Sequence, residues 1–267
     1  MKLKLGIFDS GIGGFTILKS LLEHRCDVQV LYLADNKRNP YGGKKDEEIK
    51  EIAYEISNWF KDKDLDALLI ACNTTNACAL NILQKNLKIP CFDLINSVSE
   101  NITVDKVGIL ATTATIRSSS YKNCFKANNK DITVFQQECP EFVSEIEKVP
   151  INLERISTLS EIYLKPLLNE KIQAIILGCS HYPLIYKTLR RKIPEEIIII
   201  DPANALINKF NNSFVQSQLN FHKDFCFKDI EFFATAEIDQ FSLKVTNWLG
   251  INKKISLVNL QTDAFLL

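Results

Sequence analysis

The sequence has no net charge: Lys+Arg and Asp+Glu balance at 32 each over 267 residues. Without a basic excess, neither nucleic acid nor a polybasic membrane surface is expected as a partner. Long apolar runs are missing too, since none approaches the roughly 20 residues needed to span a bilayer. The apolar stretch behind Met1-Lys2-Leu3-Lys4 is cut at Asp9, too short for a secretory signal, so a cytoplasmic location is expected. Histidine is scarce (His24, His181 and His222), and no two of the eight cysteines stand as Cys-x-x-Cys. No histidine-rich metal site, zinc knuckle or thioredoxin-type pair is expected. Scattered through a chain with no recognisable secretory signal, the cysteines read as free thiols of a reducing compartment. No Pro/Gly/Ser-rich linker or low-complexity tract divides the chain.

What is present is the composition of a globular protein, 46% hydrophobic and 24% charged, long enough for one large domain or two modest ones. Short apolar runs predict strands over Leu3–Phe8, Val28–Leu33, Ala67–Ala71, Cys91–Ile95, Val107–Ala111, Ile132–Phe135, Ala174–Leu177, Ile197–Ile200 and Glu231–Phe233. Between several of them lie helical periodicities. The clearest puts Ile49, Ile52, Ala53, Ile56, Trp59 and Phe60 on one stripe, with Lys50, Glu51, Glu55 and Asn58 elsewhere. Near-continuous apolar strands alternating with helices imply an α/β fold with parallel sheets covered on both faces.

A faint duplication runs through this pattern. Leu68-Leu69-Ile70-Ala71-Cys72-Asn73-Thr74 resembles Ile175-Ile176-Leu177-Gly178-Cys179-Ser180-His181, each an apolar strand ending in a cysteine and polar residues before a helical segment. Spacing alone suggests two similar α/β halves, each offering a thiol at the strand end where open α/β sheets bind ligands. Amide N–H groups and the positive end of a helix dipole at such a junction favour thiolate, so both pKa values are expected to fall. The plain alternative is a small buried hydrophobe, and Cys26, Cys78, Cys91, Cys124, Cys139 and Cys226 read that way. The polar stretch Asn211–Asp224 suits a crossover returning the chain to its first half.

Three further segments can carry chemistry. Gly6-Ile7-Phe8-Asp9-Ser10-Gly11-Ile12-Gly13-Gly14 lets the backbone approach a ligand closely. It lacks the third glycine of a dinucleotide fingerprint, because Thr16 stands there. Asp9 suits orienting a thiol or binding a cationic amine, or simply capping a turn. In the polar loop Asp35–Lys44, Tyr41 and Gly42 offer a hydroxyl and an N–H to a carboxylate, or form a surface turn. Thr112 to Thr115 offer hydroxyls for a ligand or for helix capping.

Taken together, Phe8 to Gly14, Tyr32 to Asp35 with Pro40-Tyr41-Gly42, Ala71 to Thr74, and Gly178-Cys179-Ser180-His181-Tyr182-Pro183-Leu184 resemble bacterial glutamate racemases of the aspartate/glutamate racemase family. The likeness runs nearly end to end, and Thr112 to Thr115, Cys139-Pro140, Phe142-Val143 and Glu147 agree with it. It implies two α/β domains related by a pseudo-twofold, 1–95 plus 210–267 carrying Cys72 and 96–209 carrying Cys179, with the active site in the cleft between them. It further implies a cofactor-independent isomerase interconverting L- and D-glutamate for peptidoglycan, with a homodimer as a common assembly. Cys72 and Cys179 would be the two acid/bases, Asp9 assisting Cys72, and His181 assisting Cys179 with Glu147 behind it. Asp9, Ser10, Tyr41, Gly42, Asn73, Thr74, Ser180 and His181 would contact glutamate.

This chain departs from the pattern at Ser180, where family members usually have Thr, at Thr75-Asn76, and at Ser144-Glu145 ahead of Glu147. Some relatives carry an N-terminal extension tied to activation by a cell-wall precursor. With the first strand starting at Leu3, no such activation is expected here.

Inverting an α-carbon requires removing a proton from one face and supplying one to the other, which two opposed acid/bases achieve. The competing readings are a racemase of aspartate or another amino acid, a cysteine hydrolase built on Cys179 and His181, and a non-catalytic protein retaining the cleft. Residues as close in sequence as Cys179 and His181 are not expected to face each other productively, and a hydrolase leaves Cys72 idle.

Overall fold

The computed structural model describes residues 2–25, 27–128, 130–214 and 227–260. The chain opens with β1 (Leu3–Asp9), α1 (Phe15–His24), β2 (Val28–Ala34), α2 (Asp46–Lys61), β3 (Ala67–Ile70), α3 (Asn73–Asn86) and β4 (Cys91–Asp93). Helix α4 (Leu94–Asn101) leads into β5 (Lys106–Ala111), α5 (Thr113–Arg117), α6 (Ser120–Ala127), β6 (Thr133–Glu138), α7 (Phe142–Ile146), α8 (Leu153–Leu168), β7 (Ala174–Gly178), α9 (Tyr186–Arg190) and β8 (Ile198–Ile200). The chain then runs through α10 (Pro202–Ser213), β9 (Ile230–Ala234), α11 (Ile238–Leu249) and β10 (Ile255–Leu257).

Two parallel sheets result, ordered β10-β9-β2-β1-β3-β4 and β6-β5-β7-β8. The smaller repeats the β2-β1-β3-β4 order of the larger, strand for strand. The faintly duplicated segments of the sequence are thereby the third strand of each repeat, interior in both sheets. All of β3 and β7 is buried, as expected for parallel strands covered on both faces.

The helices follow the sequence pattern. In α2 the residues Ile49, Ile52, Ala53, Ile56 and Phe60 are buried. Asp46, Glu47 and Glu48 occupy its first turn, where the dipole favours negative charge. Glu55, expected on the polar face, is instead buried and ion-paired with Arg38. Strand β4 stops at Asp93 rather than Ile95 because the Asp93 carboxylate accepts from Asn96 N–H and starts α4. Strand β10 was not expected: Ile-Ser-Leu is too short a signal among polar neighbours.

The return from the smaller sheet to the larger begins at α10, directly after β8, with Pro202 in its first turn and Asp201 capping Ala203 N–H. Helix α10 packs against α4 and α1. Of the stretch Asn211–Asp224, residues 211–213 finish α10, and 215–224 lie outside the described residues, as do Cys26 and Cys226. Among the described residues, no helix is long and apolar enough to cross a membrane.

Candidate active site

Parallel strands deliver their carboxyl ends to one edge of a sheet, and here two such edges face each other. Strand β1 ends in Asp9-Ser10, β3 leads to Cys72, β5 to Thr112, and β7 to Cys179-Ser180-His181. The Ser180 hydroxyl donates to Asp9 Oδ1 at 2.8 Å, and Thr74 Oγ1 lies 2.9 Å from Thr112 Oγ1. With its amide oriented to satisfy both sides, Asn73 accepts from the N–H groups of Cys179 and Ser180 at 3.3 Å each. Its nitrogen then donates to the Tyr121 hydroxyl at 3.0 Å. Each of these bonds joins the larger-sheet half to the smaller. Cys72 and Cys179 lie at this seam, only 3% and 5% exposed.

Cys72 stands at the N-terminus of α3, with the amide and hydroxyl of Thr75 facing its sulfur. Those donors favour thiolate, as expected from the sequence, but they do not prevail. Burial pushes the thiol up to about 12, and the nearby Asp9 and Cys179 push the same way. The setting of Cys179 is different. It is followed by a 3-10 turn, Tyr182–Ile185, rather than a long helix. That turn brings His181 Nδ1 to 3.9 Å from the Cys179 sulfur and 3.5 Å from Ser180 Oγ. His181 thus faces the Cys179 sulfur, the placement that the resemblance implies for it.

Behind His181 stands Glu147. Its Oε1 accepts from His181 Nε2 at 2.7 Å, Asn39 Nδ2 at 2.9 Å and Ile12 N–H at 3.1 Å, while Oε2 takes Lys244 Nζ at 2.6 Å. Burial works to raise the Glu147 carboxyl, but the His181 bond and charge, with Lys244, hold it at about 2. Burial also opposes charge on His181. Its contacts with Cys179 and Glu147 outweigh that and carry it well above its usual 6.5. Asp9 is raised by burial, with partial relief from His181, the Gly11 N–H and Ser180.

The remaining expected residues take up varied positions. Ser10 is buried at the end of β1. The loop 35–44 is anchored at the surface by two buried side chains, Asp35 and Tyr41, while Lys37, Pro40 and Gly43 are exposed. The Tyr41 hydroxyl donates to Asp35, beside Arg38, and is engaged inside the loop. Gly42 O accepts from Ala114 N–H at 2.8 Å, and a Cβ on Gly42 would stand 2.8 Å from Thr112 Cβ, tighter than any side chain permits. Thr112 both caps α5 and meets Thr74. Asn39, Tyr121 and Lys244 also bond to these residues, and Thr75, read from the sequence only as a departure from the family pattern, faces the Cys72 sulfur. Asn39 lay inside a flagged loop, but Lys244 looks like any lysine of an amphipathic helix. Among the described residues, no group of three or more His, Cys, Asp and Glu is arranged to hold a metal ion.

Residues 17–210 match the family model for Asp/Glu/hydantoin racemases. A glutamate racemase of Prochlorococcus marinus is 45% identical over 259 residues, covering 97% of this chain and 98% of that protein. The solved glutamate racemase of Francisella tularensis, in complex with D-glutamate, superposes with a TM-score of 0.87 at 31% identity, covering 97% of this chain and 98% of that one. A glutamate racemase isoform from Bacillus anthracis gives the same TM-score and coverage at 26% identity. The match spans more than half of the chain and agrees with two facing sheet edges that each carry a cysteine: the chain belongs to the Asp/Glu/hydantoin racemase family.

Proposed function

We propose that this protein is a glutamate racemase in which Cys72 and Cys179 exchange protons with opposite faces of the substrate's α-carbon. The observation that carries the reading is their placement: two buried cysteines at equivalent strand ends of repeated sheets, meeting across one seam. One cysteine, as thiolate, takes the α-proton while the other, as thiol, supplies a proton to the opposite face. The two have then traded states, and exchange with water restores the starting one. Asp9 stands beside Cys72, and His181 beside Cys179 with Glu147 behind it.

The α-hydrogen is far less acidic than a thiol, so the developing carbanion needs preorganised donors. Asn73, Thr74 and Ser180, with the backbone of Ser10, Tyr41 and Gly42, form the set that would surround the amino acid. Closure of the seam would exclude water and strengthen those contacts. The substrate assignment rests on the glutamate racemases to which the chain is similar. With it go a cytoplasmic, cofactor-independent enzyme supplying D-glutamate for peptidoglycan, and a homodimer. The two sheets would be the cores of domains 1–95 plus 210–267 and 96–209.

Enantiomers have equal free energy, so kcat/KM must be the same in both directions, and any substitution lowers both together. Incubation of either glutamate enantiomer in deuterated water is expected to yield the other enantiomer with deuterium at the α-carbon. Cys72→Ser and Cys179→Ser should each reduce inversion by roughly 10²–10⁴-fold, the usual contribution of a positioned acid–base group. Each is also expected to keep slow exchange with retention for one enantiomer, a different one in each variant. Absence of exchange in the wild type with glutamate but presence with aspartate would reassign the substrate. Full inversion after loss of either cysteine would eliminate the two-base scheme. The Cys179–His181 contact also fits a hydrolase, for which an acyl adduct on Cys179 seen by mass spectrometry is the signature.

A further inference from the structure

Lys244 lies on α11, 97 residues beyond Glu147 in sequence, yet its ammonium is 2.6 Å from Glu147 Oε2. Both side chains are nearly buried, 12% and 11% exposed. The division of labour on the carboxylate is uneven. Oε1 serves three donors, His181, Asn39 and the Ile12 N–H, while Lys244 is the partner at Oε2. Accepting from His181 Nε2 leaves Nδ1 as the ring atom that faces the Cys179 sulfur, so the orientation of this carboxylate decides which nitrogen can trade a proton with the thiol.

We propose that Lys244 is a positioning residue for the Cys179 side of the reaction: it anchors one oxygen of Glu147 so that the other holds His181 with Nδ1 toward Cys179. The inference rests on the racemase reading above and reaches a helix that contributes no group to the reacting centre. The other charged or titratable groups acting on Glu147 come from three elements: His181 after β7, Asp9 at the end of β1 and Tyr32 on β2. Lys148, the neighbouring cation on the Glu147 segment, pairs with Glu145 instead and does not substitute for Lys244.

Removing the ammonium leaves Oε2 without its side-chain donor, which favours a protonated or rotated carboxyl. A carboxyl that rotates, or turns its proton toward the ring, no longer accepts from His181 Nε2 through Oε1, and the ring loses its assignment. Protonation is promoted as pH falls, so the acid limb of the rate profile should move to higher pH.

The test compares Lys244→Met and Lys244→Arg with the wild type. In Lys244→Met, kcat should fall on the order of tenfold to a hundredfold, part of the roughly 10²–10⁴ that an acid–base group contributes. KM should stay within about threefold, and the acid limb of kcat/KM should rise by about one unit, as expected for losing a neighbouring opposite charge. Lys244→Arg, which keeps the charge, should recover both. NMR titration of isotopically labelled Glu side chains gives a readout independent of turnover: the Glu147 carboxyl should move from about 2 toward 4.5 in Lys244→Met. An unchanged acid limb and an unchanged Glu147 titration in a folded Lys244→Met protein would overturn the proposal, whatever the loss of rate. If the wild type itself fails to exchange the α-proton of glutamate, the racemase reading falls, while the titration still decides whether Lys244 controls Glu147.

Discussion

A carboxylate with four donors around it, Glu147, links the chemistry of the site to its stability. Its displacement from 4.5 to about 2 corresponds to on the order of 3 kcal/mol of preference for the ionised form in the folded protein. Because the folded value is depressed, that contribution is present above the unfolded carboxylate pKa and is lost as pH falls through about 2. Glu147→Gln is therefore expected to cost about 2–3 kcal/mol at neutral pH, leaving Lys244 without its counter-ion. Urea unfolding across pH should show the gap between wild type and variant narrowing below about 4.5. A gap independent of pH would mean that the carboxylate's charge is not what stabilises the fold. The same residue shows why sequence reading falls short. The motif context points to Glu147 as support for His181, whereas Ile12, Asn39 and Lys244 reach it from 135, 108 and 97 positions away.

Among the elements, the turn after β1 meets the turn after β7 at very short range. A Cβ on Gly13 would fall 2.3 Å from Ser180 Oγ, 2.6 Å from His181 Nδ1 and 2.8 Å from the backbone carbonyl carbon of Ser180. Rotating a side chain can relieve the first two contacts but not the third, so one turn has to withdraw. Gly13→Ala should then separate Asp9 from Ser180 and lower kcat/KM by about 100-fold, in line with the cost of roughly 1 Å of misplacement. Thermal unfolding of the variant should shift by only a few degrees. A fully active Gly13→Ala enzyme would show that the close approach is not needed for turnover. The glycine run was legible as a place of close backbone approach, but what it approaches was not. Likewise the strand-cysteine repeat was legible, while the exchange of a long helix after Cys72 for a 3-10 turn after Cys179 was not.

For the whole molecule, the seam between the two sheets is held by polar bridges: Asp9 to Ser180, Asn73 to Cys179 and Ser180, Thr74 to Thr112, and Glu147 to three residues of the larger-sheet half. Polar bonds exchange with water at little net cost, but buried apolar residues of both halves, Ile12 and Phe15 with Phe142 and Leu177 among them, share one core, so opening the seam also disturbs packed apolar surface. Alkylation by iodoacetamide, read by mass spectrometry, should find Cys72 nearly inert, since it is buried and its thiol is pushed up to about 12. Asn73→Ala, which removes one bridge, should speed modification of Cys179 by about tenfold, the equivalent of one hydrogen bond of roughly 1.4 kcal/mol. D-glutamate should slow it again. Cys179 labelling equally fast in both proteins would mean that Asn73 does not hold the seam closed.

The sequence by itself determined the local layers of this account. Alternating apolar strands and amphipathic helices specify parallel sheets, and the duplicated strand-Cys segments specify a thiol at the same place in each half, because these depend on neighbours a few residues apart. Only the tertiary structure decided the state of the Cys72 thiol and the company both cysteines keep. Burial of Cys72 sums over atoms from several elements and outweighs the helix-end donors that a local reading counts. The placement of Lys244 on Glu147 depends on how α11 packs beside the smaller half. Solvation and long-range charge are properties of the assembled chain, and no short motif records them.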